Sequence, residues 1–147
     1  MTNPYTKAVN AYRTTGDDNL TPVQIVAELY KGIIRFLREA KTACEAGQLD
    51  QMYNANQRIN SVIEALEAHL DEDAGGEDAK FLKEFYLILF FRLAKVLERP
   101  DPAREYQQLI DYVMPVYERW HTMAYGPRKT AEDTEDAAQP EKQETAS

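Results

Sequence analysis

Phe85-Tyr86-Leu87-Ile88-Leu89-Phe90-Phe91 is the stretch on which the fold turns. At 3.6 residues per turn, seven consecutive apolar residues put apolar side chains on every side of a helix, whereas a surface helix needs a single stripe. The flanks repeat at helical spacing, so the run belongs to a helix. Lys83, Glu84, Arg92 and Lys95 interrupt the 81–97 stretch too often for a membrane span. One side of such a helix can feed the protein's own core, and the other side is a surplus that wants a partner.

Working outward, three further helical blocks appear. Thr21-Pro22-Val23-Gln24 has the form of a capping box with proline at the first helical position. Behind it Val26, Leu29, Ile33, Leu37, Ala40 and Cys44 recur at three and four residues, until Gly47 ends the block. The second block, with Asp50 as its expected cap, runs to about Leu70 with Met52, Ala55, Ile59, Val62, Ile63, Leu66 and Leu70 on one face. An acidic, glycine-containing loop at 71–78 precedes the third block, expected from about Glu77 to Arg99. Pro100 breaks it, Asp101-Pro102 caps and starts the fourth, which reaches about Met123, and Pro115 is expected to kink that last helix.

Short connections between long helices favour antiparallel neighbours, so the expected fold is all-α: an antiparallel up-down four-helix bundle over 21–125. Residues 1–20 read as a flexible N-terminal arm carrying Tyr5, Val9 and Tyr12. Residues 126–147, acidic and without large apolar side chains, read as a disordered tail.

Composition narrows the function. The formal charge of -8 argues against a nucleic-acid binder, which needs basic residues to neutralise phosphates, and it disfavours an anionic membrane surface as partner. The one cysteine, Cys44, cannot form an internal disulfide, and the first thirty residues hold no signal segment, so the expected compartment is the cytoplasm.

Chemistry is sparse. Glu118-Arg119-Trp120-His121 has the Glu-x-x-His spacing of a di-metal bundle, but the second helix supplies no matching motif. The acidic loop offers Asp71, Asp73 and Gly76 at calcium-loop positions 1, 3 and 6, yet Leu82 stands where a bidentate carboxylate is required. There is no phosphate-binding glycine loop and no nucleophile elbow. Neither catalysis, a metal nor another cofactor is expected.

The surplus on the third helix divides into stripes: Leu82, Phe85, Leu89 and Leu93 on one, Phe81, Ile88 and Phe91 towards a second, Tyr86 and Phe90 towards a third. The plain alternative is that this is the most central helix, apolar all round because it is enclosed. If about four such side chains were instead exposed, their full burial by a partner would contribute on the order of 6 to 12 kcal/mol before ordering costs.

Here a pattern emerges. Ala11-Tyr12, then Leu20-Thr21-Pro22-Val23-Gln24-Ile25-Val26 leading into Leu29-Tyr30-Lys31-Gly32, with Leu70-Asp71 through Gly75-Gly76-Glu77-Asp78-Ala79, then Leu82, Phe85-Tyr86, Phe91-Arg92-Leu93 and a closing Trp120, resembles the flagellar secretion chaperones. Lys31 stands where that family has an acidic residue, Leu87 and Ile88 replace a more polar pattern, and Pro115 is unexpected. The resemblance implies a cytoplasmic chaperone without enzymatic activity. It would bind the C-terminal segment of flagellin, prevent premature polymerisation and keep the client competent for the type III export apparatus. The N-terminal arm would lie over part of that surface in the unbound state.

Joined to the surplus, the resemblance implies client contacts at Tyr12, at Ile25, Leu29, Tyr30 and Ile33 on the first helix, and at Phe81, Phe85, Tyr86, Leu89 and Phe90 on the third. Core packing is the competing role for each, and Trp120 reads as a core anchor. The competing function is a helical adaptor or regulatory protein that homodimerises through the third helix, and a homodimer is the alternative client-free state.

Overall fold

Capping chemistry sets the first helix. The Thr21 hydroxyl accepts from the Gln24 N–H at 3.2 Å while the Gln24 side-chain oxygen accepts from the Thr21 N–H at 3.0 Å, and α1 runs Pro22–Glu45 behind that box. Three more helices follow, α2 Leu49–Ala68, α3 Glu72–Ala94 and α4 Pro102–Tyr125, with a 3-10 turn Val96–Glu98 after α3. The structure, a computed structural model, describes residues 20–127 apart from 69 and 71 and the side chains of 72–74. The expected N-terminal arm, with Tyr12, and nearly all of the expected tail lie outside the described residues.

Several boundaries differ from expectation for local reasons. Asp50 does not cap α2. Gln48 does, since its carbonyl accepts the first helical bond from Met52, and Asp50 sits in the first turn, where a carboxylate complements the helix dipole. Gly47, at φ 73°, makes the reversal between α1 and α2. The acidic segment 72–75 is helical rather than a loop, and the break falls at Gly76, whose φ of 58° and ψ of -130° suit only glycine. At the other end α3 stops at Ala94, short of Arg99. Pro100 forbids helical backbone at the residue before it, and Arg99 is extended at ψ 153°. Asp101 caps α4 as read, accepting from the Arg104 N–H at 3.2 Å. That helix passes Pro115 to reach Tyr125; Pro115 lies on an exposed face, where water can take the hydrogen bond it forgoes.

The helices run up, down, up, down. Gln24 reaches the Ala124 carbonyl at 3.4 Å while Lys41 reaches Gln107 at 3.0 Å, so α1 and α4 are antiparallel along their whole length. Phe85 stacks on Tyr112 and Arg92 meets Glu105, so α3 and α4 are antiparallel too.

The centre of the bundle is α1, not α3, which overturns the reading of the apolar run as an enclosed central helix. α1 packs closely on both α2 and α4 and buries Ile25, Val26, Tyr30, Ile33, Ile34 and Leu37 with Ala27, Ala40 and Ala43. The alanines let neighbouring backbones come near, since side-chain size at the contact sets the interaxial distance. α3 stands further off and touches the rest through large side chains. Tyr86 meets Tyr30 of α1, Phe85 stacks on Tyr112 of α4 with centroids 4.9 Å apart, and the Arg92 Nε donates to the buried Glu105 carboxylate at 3.0 Å.

Candidate functional site

Two surfaces stand out from the described residues. The first is the outer side of α3. Its inner side is fixed by Leu82, Phe85, Tyr86, Leu89 and Leu93, all buried. Helical geometry then turns the intervening side chains outward, and Phe81, Leu87, Ile88, Phe90 and Phe91 remain 41–64% exposed. Leu87 lies one turn from Phe90 and Phe91, and Ile88 one turn from Phe91, so these four form one patch with Phe81 two turns below. The exposed side chains Lys80, Lys83, Glu84 and Lys95 rim it, with the Lys95 ammonium 5.5 Å from the Phe91 ring centroid. Scattered exposed apolar residues are ordinary on a soluble protein, but five on the outer side of one helix mark an interaction surface.

The second surface is an open groove of about 1260 Å³ along the outer face of α1, walled by α2 and α4. Half-buried Leu29, Phe36, Val62 and Met114 line it, with Gly32 in mid-helix on its floor. A Cβ at Gly32 would meet nothing within 4 Å, so internal packing does not require glycine there. Polar residues form much of the rim, among them Lys31, Arg35, Arg38 and Arg58 with Glu28 and Glu39.

These placements correct the expected contact set. Ile25, Tyr30 and Ile33 of α1 and Phe85, Tyr86 and Leu89 of α3 are core residues, each no more than 4% exposed. They cannot meet a partner without repacking. Tyr86 shows why. Its hydroxyl and that of Tyr30 hydrogen-bond each other in the interior, and the Tyr30 ring stacks between those of Tyr86 and Trp120 at centroid distances of 6.4 and 6.1 Å. Burial pushes the Tyr30 and Tyr86 hydroxyls well above the ordinary tyrosine range, so both stay protonated. Of the expected residues, Phe81 and Phe90 are on the α3 patch and Leu29 lines the α1 groove. Trp120 is buried.

Sequence reasoning missed Leu87, Ile88 and Phe91, of which Leu87 and Phe91 are the two most exposed members of the patch. The available signal was the phase of Leu82, Leu89 and Leu93, which share the inner stripe and leave Leu87 and Phe91 opposite it. The sequence separates Phe91 and Ile88 from that stripe but does not by itself turn them outward.

Reactive groups do not converge at either surface. His121 packs against the rings of Tyr117 and Tyr125 at 5.7 and 4.9 Å. Among the described residues no three His, Cys, Asp or Glu side chains are grouped to hold a metal, and no helix is long and apolar enough to cross a membrane. Cys44 is half-buried, and burial, with the nearby Glu45 and Asp101 carboxylates, raises its thiol pKa.

The family model described as flagellar protein FliS matches residues 5–127. A relative, the flagellar secretion chaperone FliS of Campylobacter jejuni subsp. jejuni serotype O:6, is 29% identical over 115 residues, which is 77% of this chain and 88% of that protein.

Proposed function

Because the chain belongs to the flagellar protein FliS family, we propose that it is a cytoplasmic chaperone of flagellar export that holds the C-terminal segment of flagellin on the outer face of α3. The observation that carries this reading is the outward Phe81, Leu87, Ile88, Phe90 and Phe91 on a helix whose inner face already supplies the core. The chemistry is binding alone. A client segment without structure of its own lays an amphipathic helix on the patch, and its apolar face is then unavailable for filament contacts. Held in this way it does not polymerise early and remains competent for the export apparatus, which the chaperone serves indirectly.

Magnitudes limit what one patch can do. The five side chains are already about half buried, so covering the rest contributes about 4–7 kcal/mol by the usual transfer values. An affinity of micromolar requires about 8 kcal/mol net of the cost of ordering the client. A tight hold therefore needs further contact, and the α1 groove past Leu29 offers apolar floor for a segment that wraps around the bundle.

Titration calorimetry of the protein with full-length flagellin, and with flagellin lacking its C-terminal segment, tests the reading. A one-to-one complex with the first and no heat with the second is expected. Equal affinity for both contradicts it, as does a homodimer that persists through a light-scattering dilution series and excludes flagellin, the behaviour of an adaptor that pairs through α3.

A further inference from the structure

The α1 groove is positively charged in a protein that is otherwise acidic. The chain carries a formal charge of -8, yet the groove lining holds Lys31, Arg35, Arg38 and Arg58 against only Glu28 and Glu39. Lys31, Arg35 and Arg38 follow at i, i+4 and i+7, so they form one basic stripe along the exposed side of α1. Arg58 reaches in from α2.

Two members of this stripe, Arg35 and Arg58, are held only loosely by their ion pairs. Arg35 and Arg58 both approach the same Glu39 carboxylate, each at 3.9 Å, from side chains 65% and 62% exposed. Such solvent-exposed pairs hold weakly and exchange readily for another carboxylate. Phe36 lies under both guanidiniums, at 4.9 and 5.7 Å, and keeps them side by side over the groove.

The chain leaves the bundle at one end of that groove. The Tyr125 hydroxyl donates to Glu28 at 3.0 Å and Gln24 donates to the Ala124 carbonyl at 3.4 Å, so the last turn of α4 is clasped to the first turns of α1. Burial and the Glu28 carboxylate push the Tyr125 hydroxyl up to about 12. Shortly beyond comes Glu132-Asp133-Thr134-Glu135-Asp136, the densest acidic run after α4.

We propose that this acidic segment, 132–136, docks in the α1 groove on the stripe formed by Lys31, Arg35, Arg38 and Arg58. Reach permits it: Glu132 and Asp136 lie seven and eleven residues past Tyr125, at most about 25 and 40 Å of extended chain. The stripe from Glu28 to Arg38 spans only about 15 Å of helix. Because the segment is tethered, a weak charge-charge contact suffices to keep the groove occupied. The contact falls away as salt screens it. It stands apart from the α3 patch and does not depend on what that patch binds. Where a client also uses the groove, the acidic segment competes with it.

Paramagnetic NMR on the full chain tests this. A nitroxide is attached at Ala131→Cys in a Cys44→Ala background, and amide intensities are compared with the reduced label. Intensity loss is expected at amides 31–39 and 54–58. It should disappear in about 1 M salt, where the screening length is about 3 Å. It should also disappear when Glu132, Asp133, Glu135 and Asp136 are all changed to their amides, and weaken in Arg35→Gln with Arg58→Gln. Those two arginines are exposed, so their loss leaves the fold intact. Unchanged intensities at 31–39, or loss centred on 81–91, overturns the proposal. So does loss that persists when the nitroxide is carried by a separate, isotopically unlabelled copy, which makes the contact intermolecular.

Discussion

α1 and α3 are nearly equal in length and both carry many apolar residues, yet they do opposite things with them. α1 directs its apolar residues inward on one broad stripe, and small residues among them bring α2 and α4 close. α3 is apolar on all sides, commits one stripe to the core and leaves the other in solvent. The helix with the most continuous hydrophobic run is thus not the most enclosed one. Apolar content reports how much surface a helix wants to hide, whereas the arrangement of small and large residues reports how near its neighbours can come to hide it.

The largest effects should come from the two inner stripes. Ile33→Ala in α1 and Leu89→Ala in α3 each leave a cavity in a fully buried site and should cost about 2–5 kcal/mol, read by urea denaturation. Equal costs on the two helices would show that α3, despite its looser approach, is as much a part of the core as α1. A negligible cost at Leu89 would mean that α3 is only docked.

Next comes the polar anchor of α3. Arg92→Met leaves the Glu105 carboxylate buried with only Arg99, 3.9 Å away, and should cost about 3 kcal/mol. Adding Glu105→Leu should restore most of that loss, because the uncompensated charge is gone.

Alkaline pH probes the tyrosine pair that ties α3 to α1. The folded-state pKa values of Tyr30 and Tyr86 lie above the ordinary value of 10 because burial disfavours the phenolate. Their protonated hydroxyls therefore add stability that is fully present below about pH 10 and is lost as pH rises towards the folded-state values. Tyr106, pushed up to about 12 by burial, adds to the same decline. Denaturation midpoints should fall above about pH 10 and fall less steeply in Tyr86→Phe. At neutral pH that variant should lose about 1 kcal/mol with the hydrogen bond.

A smaller effect of opposite sign is expected on the outer face of α1. Gly32→Ala should stabilise by about 0.5–1 kcal/mol, since a Cβ there meets nothing and alanine is the better helix former. If the same variant weakens flagellin binding, the groove floor is a client contact.

Helix identity was legible wherever a local signal acts alone. The Thr21 box and the Asp101-Pro102 start are decided by a few adjacent atoms, and both appear where the sequence puts them. The start of α2 was not legible, because glycine geometry at position 47 moved the cap onto Gln48, a residue with no capping preference. On α3 the core stripe was hidden by its own surroundings. Within 85–91 every direction is apolar and periodicity carries no phase; the phase lies only in the flanks, where Leu82 and Leu93 stand among the charged Lys83, Glu84 and Arg92.

On this reading the outer side of α3 binds and its inner side folds. Leu87→Gln combined with Phe91→Gln alters the two most exposed side chains of the patch, where surface substitutions change stability by no more than about 0.5 kcal/mol each. Calorimetric titration with flagellin, alongside denaturation of the free protein, is the most direct measurement. A bundle of near-native stability that has lost most of its affinity for flagellin is expected. Native affinity in that variant, or a collapse of its stability, would contradict this reading.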